Sequence, residues 1–265
     1  KFNAEKMINI FKGEDNDFSK AVCLNAAAGL IVSEKYENFE LAYNYARDFI
    51  KSGKTYKHLV KIQMSENILE KIVQTKKAKI ENLKKITDLN ALKDVISKNN
   101  SFINFKEKIE NNIKAKKFSI IAEIKKASPS AGELVEDFNH LNIAKMYVDN
   151  GATCLSVLTE EKHFLGKLDY ITDIKNNFKI PVLAKDFFID PYQIALSKSY
   201  GSDCILIIVA ALDTKLADEI YAEAIRHKLS VLVEVHDNEE AENALKYENA
   251  LIGINNRNLK TLDIS

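Results

Sequence analysis

Six short apolar runs recur along the C-terminal two-thirds of the chain, at residues 119–124, 154–158, 181–184, 204–209, 230–235 and 251–254. Helical patterns separate them and predict helices near 139–149, 167–177, 192–199, 214–226 and 238–246. The runs hardly alternate, as expected of parallel strands buried on both faces. Gly151 and Gly201 follow the ends of their helices, where a residue tolerating left-handed backbone stops a helix. Strand then helix, repeated, predicts an α/β fold of the TIM (β/α)8 type. Six runs against the eight strands of a closed barrel predict an incomplete one.

The first 63 residues carry no strand pattern and read as helical. Asp15 and Asp17 are candidate caps for a helix over 18–32, and a second helix is expected over 38–51, with Gly53 as its terminator. Ser65 is a candidate cap for a helix to about 85, with Ile68, Leu69, Ile72, Ile80 and Leu83 on its apolar side and Lys76, Lys77 and Lys79 facing water. Shorter helices follow near 89–96 and 105–115. The chain opens at Lys1 without a methionine and stops at Ser265 soon after its sixth run, so both ends are expected to be cut points.

Charged residues stand at the C-terminal ends of the apolar runs, where barrels of this type carry their chemistry. Glu123 and Lys125 are two apart on one strand and therefore share a face. Lys185 closes Val-Leu-Ala-Lys-Asp-Phe, Glu234 stands in Val-Leu-Val-Glu-Val-His, and Glu160 lies just past its run. Charge at the end of a buried strand is costly unless it is paired or used. An unperturbed lysine is protonated at neutral pH and can donate a proton or hold an oxyanion, and a carboxylate can accept one. Asn255 and Arg257 leave the sixth run with donors suited to a carboxylate or hydroxyl. Ser128 and Ser130 frame a loop ending in Gly132, and Phe164 and Phe187 lie in rim loops. The alternatives are salt bridges among neighbours, a lysine snorkelling to water, and phenylalanines filling core. His236 is the one histidine well placed for a site, and reads as a hydrogen-bonded loop residue.

Composition narrows the classes. With 265 residues and 46% hydrophobic residues, the chain can fill a sizeable core. Lys+Arg and Asp+Glu both number 38, which argues against a nucleic-acid or anionic-membrane binder. No apolar run reaches the roughly 18 residues of a membrane span, and there is no signal peptide. The three cysteines, Cys23, Cys154 and Cys204, have no metal spacing and read as small buried hydrophobes, which fits a reducing, cytoplasmic setting. No metal-ligand constellation, Gly-rich phosphate loop or serine-nucleophile elbow is present, and no metal site is expected.

Five ordered stretches resemble the indole-3-glycerol phosphate synthase family: Ile121-Ala122-Glu123-Ile124-Lys125-Lys126-Ala127-Ser128-Pro129-Ser130, Leu158-Thr159-Glu160-Glu161-Lys162-His163-Phe164-Leu165-Gly166, Pro181-Val182-Leu183-Ala184-Lys185-Asp186-Phe187, Leu232-Val233-Glu234-Val235-His236, and Ile252-Gly253-Ile254-Asn255-Asn256-Arg257. The resemblance runs from about Met64 to the end, with the helices of 64–115 similar to that family's N-terminal extension. It implies a carboxy-lyase of tryptophan biosynthesis that closes the indole ring of carboxyphenylamino-deoxyribulose phosphate with loss of carbon dioxide and water, without a cofactor. It implies catalytic roles for Glu123, Lys125, Lys185, Glu234 and Asn255, and substrate contacts from Ser128, Phe164, Phe187 and Arg257. The family's last two strands, with their phosphate-holding motifs, are not matched, so this stretch by itself is expected to be inactive or nearly so.

Residues 1–63 are similar instead to the C-terminal end of anthranilate phosphoribosyltransferase, through Leu24-Asn25-Ala26-Ala27-Ala28-Gly29-Leu30 and Ala46-Arg47-Asp48-Phe49-Ile50-Lys51-Ser52-Gly53-Lys54. The transferase's phosphoribosyl-pyrophosphate motif is absent, so no transferase activity is expected. A fused pair with its seam near Met64 follows, its partner being a fused or neighbouring enzyme of the same pathway. The rival from another class is a degenerate, non-catalytic barrel binding a pathway enzyme, against which the intact Glu123, Lys125, Lys185 and Glu234 argue. A phosphoribosylanthranilate isomerase would want a cysteine and an aspartate at the rim, whereas Cys154 and Cys204 open their strands.

Overall fold

A computed structural model describes residues 2–99, 101–129 and 132–256, the side chains of 2–3 and 61–68 excepted. The described residues divide into two compact units, one up to Asn67 and one from Ile68 to Asn256.

In the first unit, α1 (Phe2–Phe11), α2 (Asp17–Val32) and α3 (Phe39–Lys51) pack around Ile10, Cys23, Ala46 and Ile50. The cap of α2 is Asn16, not Asp15 or Asp17. Asn16 accepts from the Ser19 amide and the Ser19 hydroxyl accepts from Asn16, a reciprocal capping box. Gly53, at φ +69°, follows α3 as expected. The next helix then starts at once: α4 (Lys54–Ile86) places Ser65 inside the helix, so the predicted break at 64–65 is absent.

The second unit begins with the rest of α4, then α5 (Leu89–Lys98) and α6 (Phe105–Lys114), capped by Asp88 and Asn104. Ile80 and Leu92 pack with Tyr192, Ala195 and Leu196. Lys76 does not face water: it lies at four-residue spacing between Ile72 and Ile80, all three are buried, and its amine pairs with Asp186 at 2.6 Å. Lys77 is exposed, and Lys79 pairs with Glu161.

The sheet opens with β1 (Ile121–Ile124). A two-strand ladder, β2 (Ala127–Ser128) against β3 (Gly132–Glu133), then forms within what the sequence presents as a plain loop. Helix and strand next alternate through α7 (His140–Asp149), β4 (Cys154–Leu158), α8 (Asp169–Asn177), β5 (Val182–Lys185), α9 (Tyr192–Ser199), β6 (Cys204–Ile208), α10 (Thr214–Arg226), β7 (Ser230–Val235), α11 (Asn238–Ala244) and β8 (Leu251–Ile254). The six long strands are parallel and ordered β1-β4-β5-β6-β7-β8, so each pairs with the next one along the chain. This is the curled sheet of an incomplete TIM barrel.

Burial is not uniform across it. Strands β4 and β6 are buried at every residue, with Cys154 and Cys204 inside as expected. The outer strands are not: Ile254 on β8 is 79% exposed, and Ile121 on β1 is exposed too. The sequence reads all six runs as doubly buried, but an edge strand lacks a neighbour on one side.

Candidate active site

One face of the sheet collects the charged residues. Glu123 pairs in register with Ser156, Ser156 with Leu183, Leu183 with Cys204 and Cys204 with Ser230. Lys185 is two residues beyond Leu183, and Glu234 is four beyond Ser230. Even offsets keep the face. Gly253 pairs with Glu234, and Asn255 is two further on. All these side chains therefore leave the same face, and the tilt of barrel strands brings the far ends of β1, β5 and β7 together.

The contacts follow. The Lys185 amine lies 3.2 Å from Glu123 Oε2 and 3.9 Å from Glu234 Oε2. Lys125 donates to Glu123 Oε1, and Asn255 Nδ2 donates to Glu234 Oε1 at 3.1 Å. The Tyr147 hydroxyl donates to the Glu123 carbonyl at 3.2 Å, tying β1 to α7. Burial pushes the Glu123 carboxyl up, but the Lys185 charge and the Lys125 hydrogen bond outweigh it and hold the group below its ordinary value. Two cations, two carboxylates and an amide thus form one contact chain. A positioned ammonium can donate a proton there, and a carboxylate can accept one.

The rings of Phe164 and Phe187 lie 6.3 Å apart, centre to centre, at 42°. Phe187 follows β5 two residues after Lys185. The Phe164 carbonyl accepts from the Ala127 amide at 3.3 Å, which ties the loop after β4 to the segment after β1. Ser128 is a buried position on β2. Arg257 and Ser130 lie outside the described residues. Among the described residues, no group of three or more His, Cys, Asp or Glu is placed to hold a metal.

Three supports were not read from the sequence. Buried Glu160 accepts from the amides of His163 at 2.7 Å, Phe164 at 3.0 Å and Lys162 at 3.1 Å. It organises the loop that presents Phe164. Burial opposes its charge, yet these amides hold its carboxyl below the usual 4.5. With a depressed folded value, its contribution is complete above the ordinary carboxylate range and is lost as pH falls through the folded value. The stability gap between wild type and Glu160→Gln, followed by denaturant unfolding, is therefore expected to be steady near neutrality and to shrink below about pH 4.5. The same gap at every pH would refute this.

Gly166 closes that loop through its amide, 2.8 Å from the Glu160 carbonyl. A Cβ there would stand 2.2 Å from the Leu158 carbonyl oxygen, which is backbone and cannot step aside. Gly166→Ala is expected to cost on the order of 3 kcal/mol, seen as a lower Tm. A Tm within a degree or two of wild type would contradict the close approach.

The third support lies beneath Lys185. Asp186 pairs with Lys76 of α4 and accepts from the Thr159 hydroxyl at 2.7 Å. The one signal for it in the sequence was a lysine on the apolar stripe between Ile72 and Ile80.

A parallel βα sheet with acid and base groups gathered at the C-terminal ends of its strands defines a barrel enzyme of the acid–base kind. The model of the indole-3-glycerol phosphate synthase family matches residues 69–265. The indole-3-glycerol phosphate synthase of Azospirillum brasilense is 44% identical over 198 residues, covering 75% of this chain and 76% of the relative. That of Leptothrix cholodnii is 42% identical over 199 residues, covering 75% and 76%. That of Ruminiclostridium cellulolyticum is 44% identical over 199 residues, covering 74% and 75%. The chain belongs to the indole-3-glycerol phosphate synthase family, the carboxy-lyases of tryptophan biosynthesis.

Proposed function

We propose that the rim cluster performs the family's reaction, with Lys185 as the general acid. The substrate is carboxyphenylamino-deoxyribulose phosphate, and the product is indole-3-glycerol phosphate with carbon dioxide and water. Lys185 protonates the substrate carbonyl as the ring closes. Glu234 acts as a base or stabilises the cationic intermediate. Lys125, oriented by Glu123, assists proton transfer in the dehydration and touches the phosphate. Asn255 and Arg257 help to hold the substrate, Ser128 contributes a hydroxyl, and Phe164 and Phe187 pack against its aromatic ring. The observation that carries this reading is the Lys185 amine set between the carboxylates of Glu123 and Glu234, at 3.2 and 3.9 Å. The complete gene should restore growth without tryptophan to a bacterium lacking its own synthase. Failure would favour a non-catalytic barrel.

Residues 1–265 alone are expected to show turnover at or near zero. The matches leave about a quarter of each relative unpaired, 76% of the Azospirillum brasilense enzyme being covered. Loops after the seventh and eighth strands commonly hold phosphate in such barrels. Substantial product, followed by indole fluorescence, would overturn this.

The helices before residue 64 are read as the end of an anthranilate phosphoribosyltransferase fused to the synthase, a reading supported by residues 24–30 and 46–54. The gene upstream of Lys1 is then expected to encode the transferase's glycine-rich motif. A start codon immediately before Lys1 would end that reading. Among the described residues no helix is long and apolar enough to cross a membrane. We assign the cytoplasm on a different ground, the three free, buried cysteines, which suit a reducing compartment.

A further inference from the structure

The mechanism above leaves unused a buried imidazole that stands beside its base. His236 follows β7, two residues after Glu234, and its side chain is 9% exposed. Its Nδ1 lies 3.0 Å from Glu240 Oε2 on α11. The same carboxylate oxygen accepts the His236 amide at 2.8 Å, so Glu240 grips both backbone and ring. Asp237 caps α11 by accepting from the Glu240 amide at 2.9 Å, which fixes the start of the helix that carries the gripping carboxylate. The other ring nitrogen, Nε2, is buried without a hydrogen-bond partner and faces Glu234 Oε1 at 3.6 Å. Glu234 divides its two oxygens: Oε2 faces Lys185, while Oε1 receives Asn255 and faces His236.

A carboxylate on Nδ1 selects the tautomer whose proton sits there, which leaves the Nε2 lone pair facing Glu234. A lone pair facing an ionised carboxylate is unfavourable, and a buried nitrogen without a partner is costly. One proton placed between Nε2 and Oε1 removes both penalties.

We infer that His236 is a positioning residue that takes and returns the proton of Glu234 while Glu240 holds the ring. The inference rests on the reading of Glu234 as a base. When Glu234 is protonated on Oε1, the O–H bond breaks with its electron pair left on oxygen, and the Nε2 lone pair forms the new N–H bond. A neutral acid and a neutral imidazole become a carboxylate and an imidazolium. The imidazolium then lies between Glu234 and Glu240, and total charge is unchanged. Return of the proton restores the starting pair.

The test is nitrogen-15 NMR of residues 1–265 with labelled histidine. The neutral His236 ring should carry its proton on Nδ1, and that proton should exchange slowly with water. Glu240→Gln should speed the exchange about tenfold or more, since a hydrogen bond to a charged group is replaced by a neutral one. Glu234→Gln should move the Nε2 resonance, because an amide able to donate replaces the carboxylate. A neutral ring protonated on Nε2, in the wild type alone, overturns the inference, and so does an Nε2 resonance indifferent to Glu234→Gln. These readings need no turnover. Failure of Glu234 as a base would appear separately, as retained turnover of Glu234→Gln in the complete gene product.

Discussion

Lys185→Ala in the complete gene product is expected to lower kcat by about a hundredfold to ten-thousandfold, the usual contribution of a positioned general acid. Stability should hardly change. The side chain is 33% exposed, and its partners are not left bare. Glu123 keeps Lys125, and Glu234 keeps Asn255. Circular dichroism and Tm will report an intact fold, and steady-state kinetics will report the loss. Turnover within tenfold of wild type would remove Lys185 from the role of acid. Equal falls in kcat and kcat/KM would mark an interaction made only in the transition state.

Asp203→Ala is expected to do the reverse, destabilising the fold by about 3–5 kcal/mol. Asp203 precedes β6 and is wholly buried, and its carboxylate receives the Lys175 amine at 2.6 Å, itself only 4% exposed. It also accepts the amides of Ile103 at 2.7 Å and Val182 at 2.8 Å. Truncation leaves a buried cation and two amides, that of Val182 buried, without their acceptor. The site lies at the N-terminal ends of the strands, away from the rim, where barrels hold stabilising rather than catalytic residues. Unfolding in denaturant gives the loss. A change below 1 kcal/mol would show that water enters and solvates Lys175. Replacing both partners with apolar residues should recover much of the loss, since an uncompensated charge is what costs most.

The two positions show what a single sequence can and cannot say. Lys185 was legible because a lysine ending an apolar run is an anomaly. Asp203 also flanks an apolar run, but at its start, where charge is ordinary, and nothing local marked the amides of Ile103 and Val182 as its partners. Lys76 was misread because charge usually means water; its partner Asp186 lies 110 residues away in the chain. Ser65 was misread as a helix start because a capping residue type is not a cap when the helix has already begun. His236 was seen as a loop histidine, and its two carboxylates became visible only in three dimensions.

The sequence alone determined the order of the six long strands and the helices between them, the parallel barrel class, the buried cysteines, and the parity that puts Glu123 and Lys125 on one face. These follow from local periodicity, which short-range sterics and burial enforce without reference to distant residues. The tertiary structure decided that Lys185 touches both carboxylates, that Glu160 and Gly166 shape the loop carrying Phe164, and that Lys76 is buried. Those depend on strand stagger and on contacts between residues far apart in the chain, and distance in space is not encoded in any local pattern.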